Sequence, residues 1–190
     1  MQYRKKRKSN ARSQETEQAS LYAAIDLGTN NCRMLIAKKS KNGFRVVDSF
    51  SRITRLGEDV ARSSTLSDKA MQRTLKALAI CAQKLEYHAV DFVRCVATEA
   101  CRRAQNGPQF IEDVQNVTGL YLETISPVEE ANLALTGCSS LLNSERPNAL
   151  VFDIGGGSTE IMWIEIKSDG TPEGIDMISL PLGVVTLSET

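Results

Sequence analysis

Two stretches of the chain repeat one grammar. Ala24-Ile25-Asp26-Leu27-Gly28-Thr29-Asn30 and Val151-Phe152-Asp153-Ile154-Gly155-Gly156-Gly157-Ser158-Thr159 each run from an apolar strand through an Asp and an apolar residue into glycine. Small hydroxyl or amide side chains come next, and then a second apolar strand: Cys32 to Ala37 in one case, Thr159 to Ile166 in the other. Strand, glycine turn and returning strand predict a hairpin. Without Cβ atoms, successive N–H groups in such a turn can point into one concavity and form an anion nest. The hydroxyls of Thr29, Ser158 and Thr159 can add donors, and Asp26 and Asp153 stand where they could hold a metal directly or through water. Taken singly, either loop is also readable as an ordinary turn. Two loops of the same design, facing each other, would pinch a phosphate chain.

Around these hairpins the pattern is mixed α/β. Leu21 to Asp26, Cys32 to Ala37 and Phe44 to Ile53 predict an opening meander of three strands, with Asn42-Gly43 as the second turn. Thr65 to Glu86 is the clearest helix, with Ser67 as its N-cap. Phe92 to Ala97 predicts a strand, and short helices follow over 98–104 and 108–118. Leu120 to Ile125 (strand), Val128 to Leu142 (helix), Leu150 to Ile154, Thr159 to Ile166 and Ile175 to Leu180 (all strands) complete the order. A meander followed by alternating strands and helices points to a mixed sheet flanked by helices rather than a purely parallel one.

Composition narrows the function classes. The 190 residues hold no run of 18 apolar positions, which excludes a transmembrane helix, and no apolar segment follows the basic start as a secretory signal would require. Net charge is zero but unevenly spread. Residues 1–12 carry six bases and no acid, leaving 17 bases against 23 acids in the rest. The segment 1–19 reads as a polar, unstructured tail, or as a means of attracting a polyanion. Cys32, Cys81, Cys95, Cys101 and Cys138 show no paired spacing, so neither a zinc site nor a disulfide framework is predicted, and reduced thiols in a cytoplasmic protein are expected. His88, the only histidine, closes the long helix. A Ser-His-Asp or Cys-His mechanism would have to use it.

Two strand-to-helix junctions supply further candidates. In Val96-Ala97-Thr98-Glu99-Ala100-Cys101-Arg102, Arg102 lies a turn into the helix and could clamp a phosphate through its guanidinium fork; the alternative is a surface arginine. In Ile125-Ser126-Pro127-Val128-Glu129-Glu130-Ala131, Ser126 reads as N-cap, Pro127 as N1 and Glu129 as the N3 member of a capping box. Glu130 is then left free to face a cleft, where it could take a proton from water.

Together, residues 22–36, 96–107, 125–131, 150–161 and 180–187 resemble the exopolyphosphatase/guanosine pentaphosphate phosphohydrolase family, in the family's order and over nearly everything but the tail. The resemblance implies an actin-like ATPase domain (acetate and sugar kinase/Hsp70/actin, ribonuclease H-like) spanning 20–190, with the family's second domain absent from this chain. It further implies Mg²⁺-dependent hydrolysis of the terminal phosphoanhydride of inorganic polyphosphate or of pppGpp, the alarmone of the stringent response. A homodimer in the full-length form is implied too, with no membrane and no specific nucleic acid as partner. By position Glu130 matches the catalytic glutamate and Arg102 the catalytic arginine. Asp26, Gly28, Thr29 and Asn30 match the first phosphate loop and Asp153, Gly155, Gly156, Gly157, Ser158, Thr159 and Glu160 the second; Asp26, Asp153 and Glu160 are the expected metal ligands. Thr29 and Asn31 replace two serines of the usual first loop, Glu99 and Cys101 replace Ser and Leu, and Pro127 replaces Gly. Two rivals stay open: an actin-like kinase or ATPase, and a non-catalytic module that binds polyphosphate or alarmone.

Overall fold

The computed structural model describes residues 3–4, 20–41, 43–142 and 145–189. Its elements are β1 (Tyr3–Arg4), β2 (Leu21–Leu27), β3 (Asn31–Ser40), β4 (Gly43–Ile53), α1 (Val60–Ser63), α2 (Asp68–Tyr87), β5 (Phe92–Ala97), α3 (Glu99–Arg103), α4 (Gly107–Thr118), β6 (Leu122–Thr124), α5 (Pro127–Cys138), β7 (Asn148–Ile154), β8 (Thr159–Ile166), β9 (Pro172–Leu180) and α6 (Val184–Ser188). The strands form two sheets. The larger runs β1-β5-β2-β3-β4, with β6 also on β5; the smaller runs β7-β8-β9. The mixed sheet expected from sequence is the first: β2 pairs antiparallel with β3 and parallel with β5.

The last three strands leave the first sheet and form their own. The two meanders also have separate cores. On β2, period-2 alternation turns Ala23, Ile25 and Leu27 inward, where with Met34, Ile36, Leu78, Cys81, Phe110 and Val114 they join a core roofed by α2 and α4. The second core is small: Ala131 and Leu135 of α5 against Met162 and Ile164 of β8. The outer face of the small sheet keeps Leu150, Phe152, Ile154, Trp163, Ile175 and Ile178 exposed.

The other departures are local. β6 covers only Cys95–Ala97 of β5, and the uncovered Phe92 and Val93 pair with Tyr3 and Arg4, so the tail is structured at that one point. The rest of segment 1–19 lies outside the described residues, as does Asn42 of the expected turn. Ser67 caps α2 as predicted, its hydroxyl accepting from the Ala70 N–H at 3.3 Å. Two short helices, α1 and α6, were not anticipated; each is under two turns, too short for periodicity to register. All five cysteines are free thiols, and burial pushes those of Cys95 and Cys101 up to about 12.

Candidate active site

The alternation that buries Ile25 and Leu27 turns Asp26 to the opposite face of the sheet, away from α2 and α4. There a cavity of about 630 Å³ opens, lined by Asp26, Arg33, Arg94, Thr98, Glu130 and Asp153 among others. It lies between the open face of the large sheet and the start of α5, and it is lined by Asp26, Glu130 and Asp153 of the acids singled out from sequence, but not by Glu160.

The two glycine hairpins are built alike. Gly28 N–H donates to the Asn31 carbonyl and Gly155 N–H to the Ser158 carbonyl, each at 2.9 Å. In both loops the carbonyls are tied backwards. Thr29 O accepts from Gly57 N–H, and Asn30 O from the N–H groups of Thr54 and Arg55. Gly155 O and Gly156 O accept from Val184 and Val185 at the start of α6. The N–H groups of Thr29, Asn30, Gly156 and Gly157 have no intramolecular acceptor among the described residues. Free N–H groups are what anionic oxygens require, though Thr29, Asn30, Gly156 and Gly157 do not themselves line the cavity.

The loops touch. A Cβ at Gly156 would stand 3.0 Å from the Asn30 N, and one at Gly157 2.7 Å from Thr29 Oγ1. These glycines therefore permit loop-to-loop contact first. Thr29 Oγ1, expected as a phosphate donor, is buried there without a hydrogen-bond partner. The Thr159 hydroxyl is likewise engaged, donating to Leu182 O at 2.6 Å. Ser158 is buried.

Cross-strand register decides what stands opposite the two aspartates. Asp26 pairs with Arg33, and Asp153 at the equivalent position pairs with Glu160. Sequence reading missed Arg33, which has no motif of its own; only the repeat aligned through hairpin register points to it. Burial raises the Asp26 pKa, Arg33 lowers it, and Asp153 raises it again. Glu160 is 1% exposed, and one of its oxygens accepts the Ser179 hydroxyl at 2.8 Å.

Glu130 sits in the first turn of α5, as the junction reading required. Ser126 caps the helix, accepting the Glu129 N–H at 3.1 Å. The capping box is corrected, however: the Glu129 carboxylate pairs with Arg94 of β5, which also holds Glu123. Glu130 accepts from Arg102 at 3.1 Å. Arg102 in turn donates to Glu99 at 2.9 Å and to Ile125 O at 2.6 Å, so it is a fully engaged side chain rather than a free clamp. The Glu99–Arg102 pair at i,i+3 was readable from spacing. Desolvation pushes the Glu130 pKa up to about 7 against the pull of Arg102, with Glu160 and Asp26 adding to the rise. His88 takes no part: its Nε2 lies 2.9 Å from Asp48, which also binds Lys84.

Among the described residues no three His, Cys, Asp or Glu side chains converge to cage a metal by themselves. The donor set still suits a hard cation that keeps most of its water. Asp153 and Glu160 are oxygen donors on adjacent strands, and Asp26 and Glu130 share their electrostatic neighbourhood.

Residues 35–190 match the family model of the Ppx/GppA phosphatase family. The chain belongs to the Ppx/GppA phosphatase family. A crystal structure of the Aquifex aeolicus Ppx/GppA member superposes with a TM-score of 0.72 at 32% identity, covering 90% of this chain and 54% of that one. An exopolyphosphatase from Cytophaga hutchinsonii shares the fold, with a TM-score of 0.81 at 24% identity over 90% of this chain and 54% of its own. The bifunctional 3-dehydroquinate synthase/phosphatase of Fusobacterium nucleatum is 35% identical over 178 residues, 89% of this chain and 26% of that protein. The Ppx/GppA chain described here thus spans about half the length of the solved relatives.

Proposed function

We propose that the protein removes the terminal phosphate from a phosphoanhydride chain, inorganic polyphosphate or pppGpp, with Glu130 as general base. The observation that carries this reading is a carboxyl with a pKa of about 7, held by one arginine at a helix start and lining a cavity that Asp26 and Asp153 also line. Such a carboxyl is matched to proton transfer near neutral pH. In the reaction, water attacks the terminal phosphorus and its proton passes to a Glu130 carboxylate oxygen. The bridging P–O bond breaks, and the shortened chain leaves with the bonding electron pair. Loop N–H groups take up charge on the phosphoryl oxygens, and Arg102 holds Glu130 in place. Asp153, Glu160 and Asp26 would hold Mg²⁺, which when bound supplies neutralisation of phosphate charge. A homodimer and a cytoplasmic setting belong to the same reading.

The deciding measurement is phosphate release from polyphosphate, pppGpp and ATP, with and without Mg²⁺. Release from the first two, abolished by Glu130→Gln, is the expected result. Faster release from ATP would favour an actin-like ATPase, and tight binding without any release would favour a non-catalytic module.

A further inference from the structure

The loop Gly28–Asn30 is braced from behind by residues 54–58, the segment that leaves β4. Asn30 O accepts from the N–H groups of Thr54 and Arg55, and Thr29 O from that of Gly57, all at 2.9 Å. The fit is close: a Cβ at Gly57 would stand 2.3 Å from Thr29 Cγ2 and 3.3 Å from the Cβ of Ala100 in α3. One side chain takes the carbonyls on the far side of this brace. Arg73, in the second turn of α2, donates from Nε to Thr54 O at 2.9 Å and from Nη2 to Arg55 O at 3.3 Å. The same Nη2 reaches Glu58 at 2.8 Å.

Arg55 stands at φ 47°, in the left-handed region that strains a residue with a Cβ. Such a conformation persists where surrounding bonds over-determine it. Here Asn30 O holds the N–H of Arg55, while Arg73 and the Glu58 N–H hold its carbonyl.

These bonds run in series through peptide units. The Thr54–Arg55 peptide accepts from Arg73 at its oxygen and donates to Asn30 O from its N–H. A charged donor on the oxygen polarises that peptide and strengthens the bond its N–H makes. One step on, the Thr29–Asn30 peptide is pinned at its oxygen by Gly57. Its other end offers the Asn30 N–H, a free donor on a nitrogen that a Cβ at Gly156 would approach to 3.0 Å. The loop also joins β2 to β3, whose Asp26 and Arg33 line the cavity. Arg73 itself does not line it.

We propose that Arg73 is a positioning residue for the first glycine loop: by holding residues 54–58 it fixes the loop carbonyls, and so aims the free N–H groups of Thr29 and Asn30 at phosphate oxygens. This rests on the phosphohydrolase reading and deepens it. Arg73 touches no substrate and acts through the brace alone.

The test compares two variants. Arg73→Met keeps a long stem without a donor, whereas Glu58→Gln cuts the same ion pair but leaves both carbonyl bonds. In Arg73→Met the amide NMR resonances of Thr29 and Asn30 should shift. Tripolyphosphate should bind ~10-fold more weakly to it in a Glu130→Gln background, where binding is read without turnover, and KM for polyphosphate should rise by a similar factor. The pH midpoint of kcat, set by Glu130, should stay in place. Glu58→Gln should leave resonances, affinity and KM at the parent values. Arg73→Lys, with its charge and a single anchoring point, should recover part of the binding. A Tm loss in Arg73→Met with unmoved Thr29 and Asn30 resonances and unchanged tripolyphosphate affinity would overturn the proposal and leave Arg73 a stabilising contact only. So would an equal loss of affinity in Glu58→Gln, which would trace the effect to the ion pair, or a displaced pH midpoint, which would mean that Arg73 acts on the base. If the unmutated protein releases no phosphate from any substrate, the phosphohydrolase reading fails, while the resonances and the tripolyphosphate titration still decide the role of Arg73.

Discussion

Glu130 is a carboxyl that the folded chain prefers neutral. Its pKa of about 7 lies above the ordinary value of 4.5, and the main cause is desolvation. The contribution to stability is therefore fully present below about 4.5 and is lost as pH rises through about 7. Glu130→Gln, a permanent neutral mimic, should raise Tm by a few degrees at pH 8 and leave it unchanged at pH 4; calorimetry at both pH values checks the sign. The same substitution should lower turnover by ~10²–10⁴-fold with substrate affinity nearly intact. Near-normal turnover would remove Glu130 from its role as base. At this scale the sequence was informative where a residue follows a helix cap, as Glu130 does, or precedes a glycine turn, as Asp153 does. It was silent on Arg33 and on the engagement of Arg102, which depend on strand register and tertiary neighbours.

Among the elements, α5 separates two functions that adjacent glutamates could have confused. The Ser126 cap is a bond to a backbone N–H, and losing it in Ser126→Ala should cost about 1 kcal/mol. Glu129 instead pairs with Arg94 at a half-exposed position, and Glu129→Gln should cost less, ~0–1 kcal/mol. Urea denaturation of both variants ranks them, and the reverse order would mean that the Arg94 pair anchors the helix. The start of α6 matters for a different reason. A Cβ at Gly183 would come 2.4 Å from the Gly156 carbonyl carbon, with backbone on the other side of the contact. Gly183→Ala should therefore destabilise by roughly 1–3 kcal/mol, as overpacking does. Gly156→Ala should mainly part the loops and weaken tripolyphosphate binding. A Tm loss for Gly156→Ala larger than for Gly183→Ala would contradict this division. Element identities were readable because β2, β8 and α2 carry clean period-2 or helical patterns. The split into two sheets was not, since apolar strands such as β7 look alike whether a face is covered or open.

Across the whole molecule, cohesion is unequal. The large core draws on two long helices and four strands, the small one on a single helix over three strands. Hydrogen exchange should therefore proceed sooner in β7, β8 and β9 than in β2, β3 and β5. Equal protection in both sheets would show that the loop contacts and α6 weld them into one cooperative unit. Those contacts carry a consequence for how the protein can change over generations. Because both loops spend their carbonyls on neighbouring N–H groups, the donors left free in them belong to the main chain, and no codon encodes them. Side chains in the first loop can drift, as Thr29 and Asn31 illustrate, without deleting a donor. What natural selection can remove is only the room the glycines provide, so the site tolerates altered chemistry far better than added bulk.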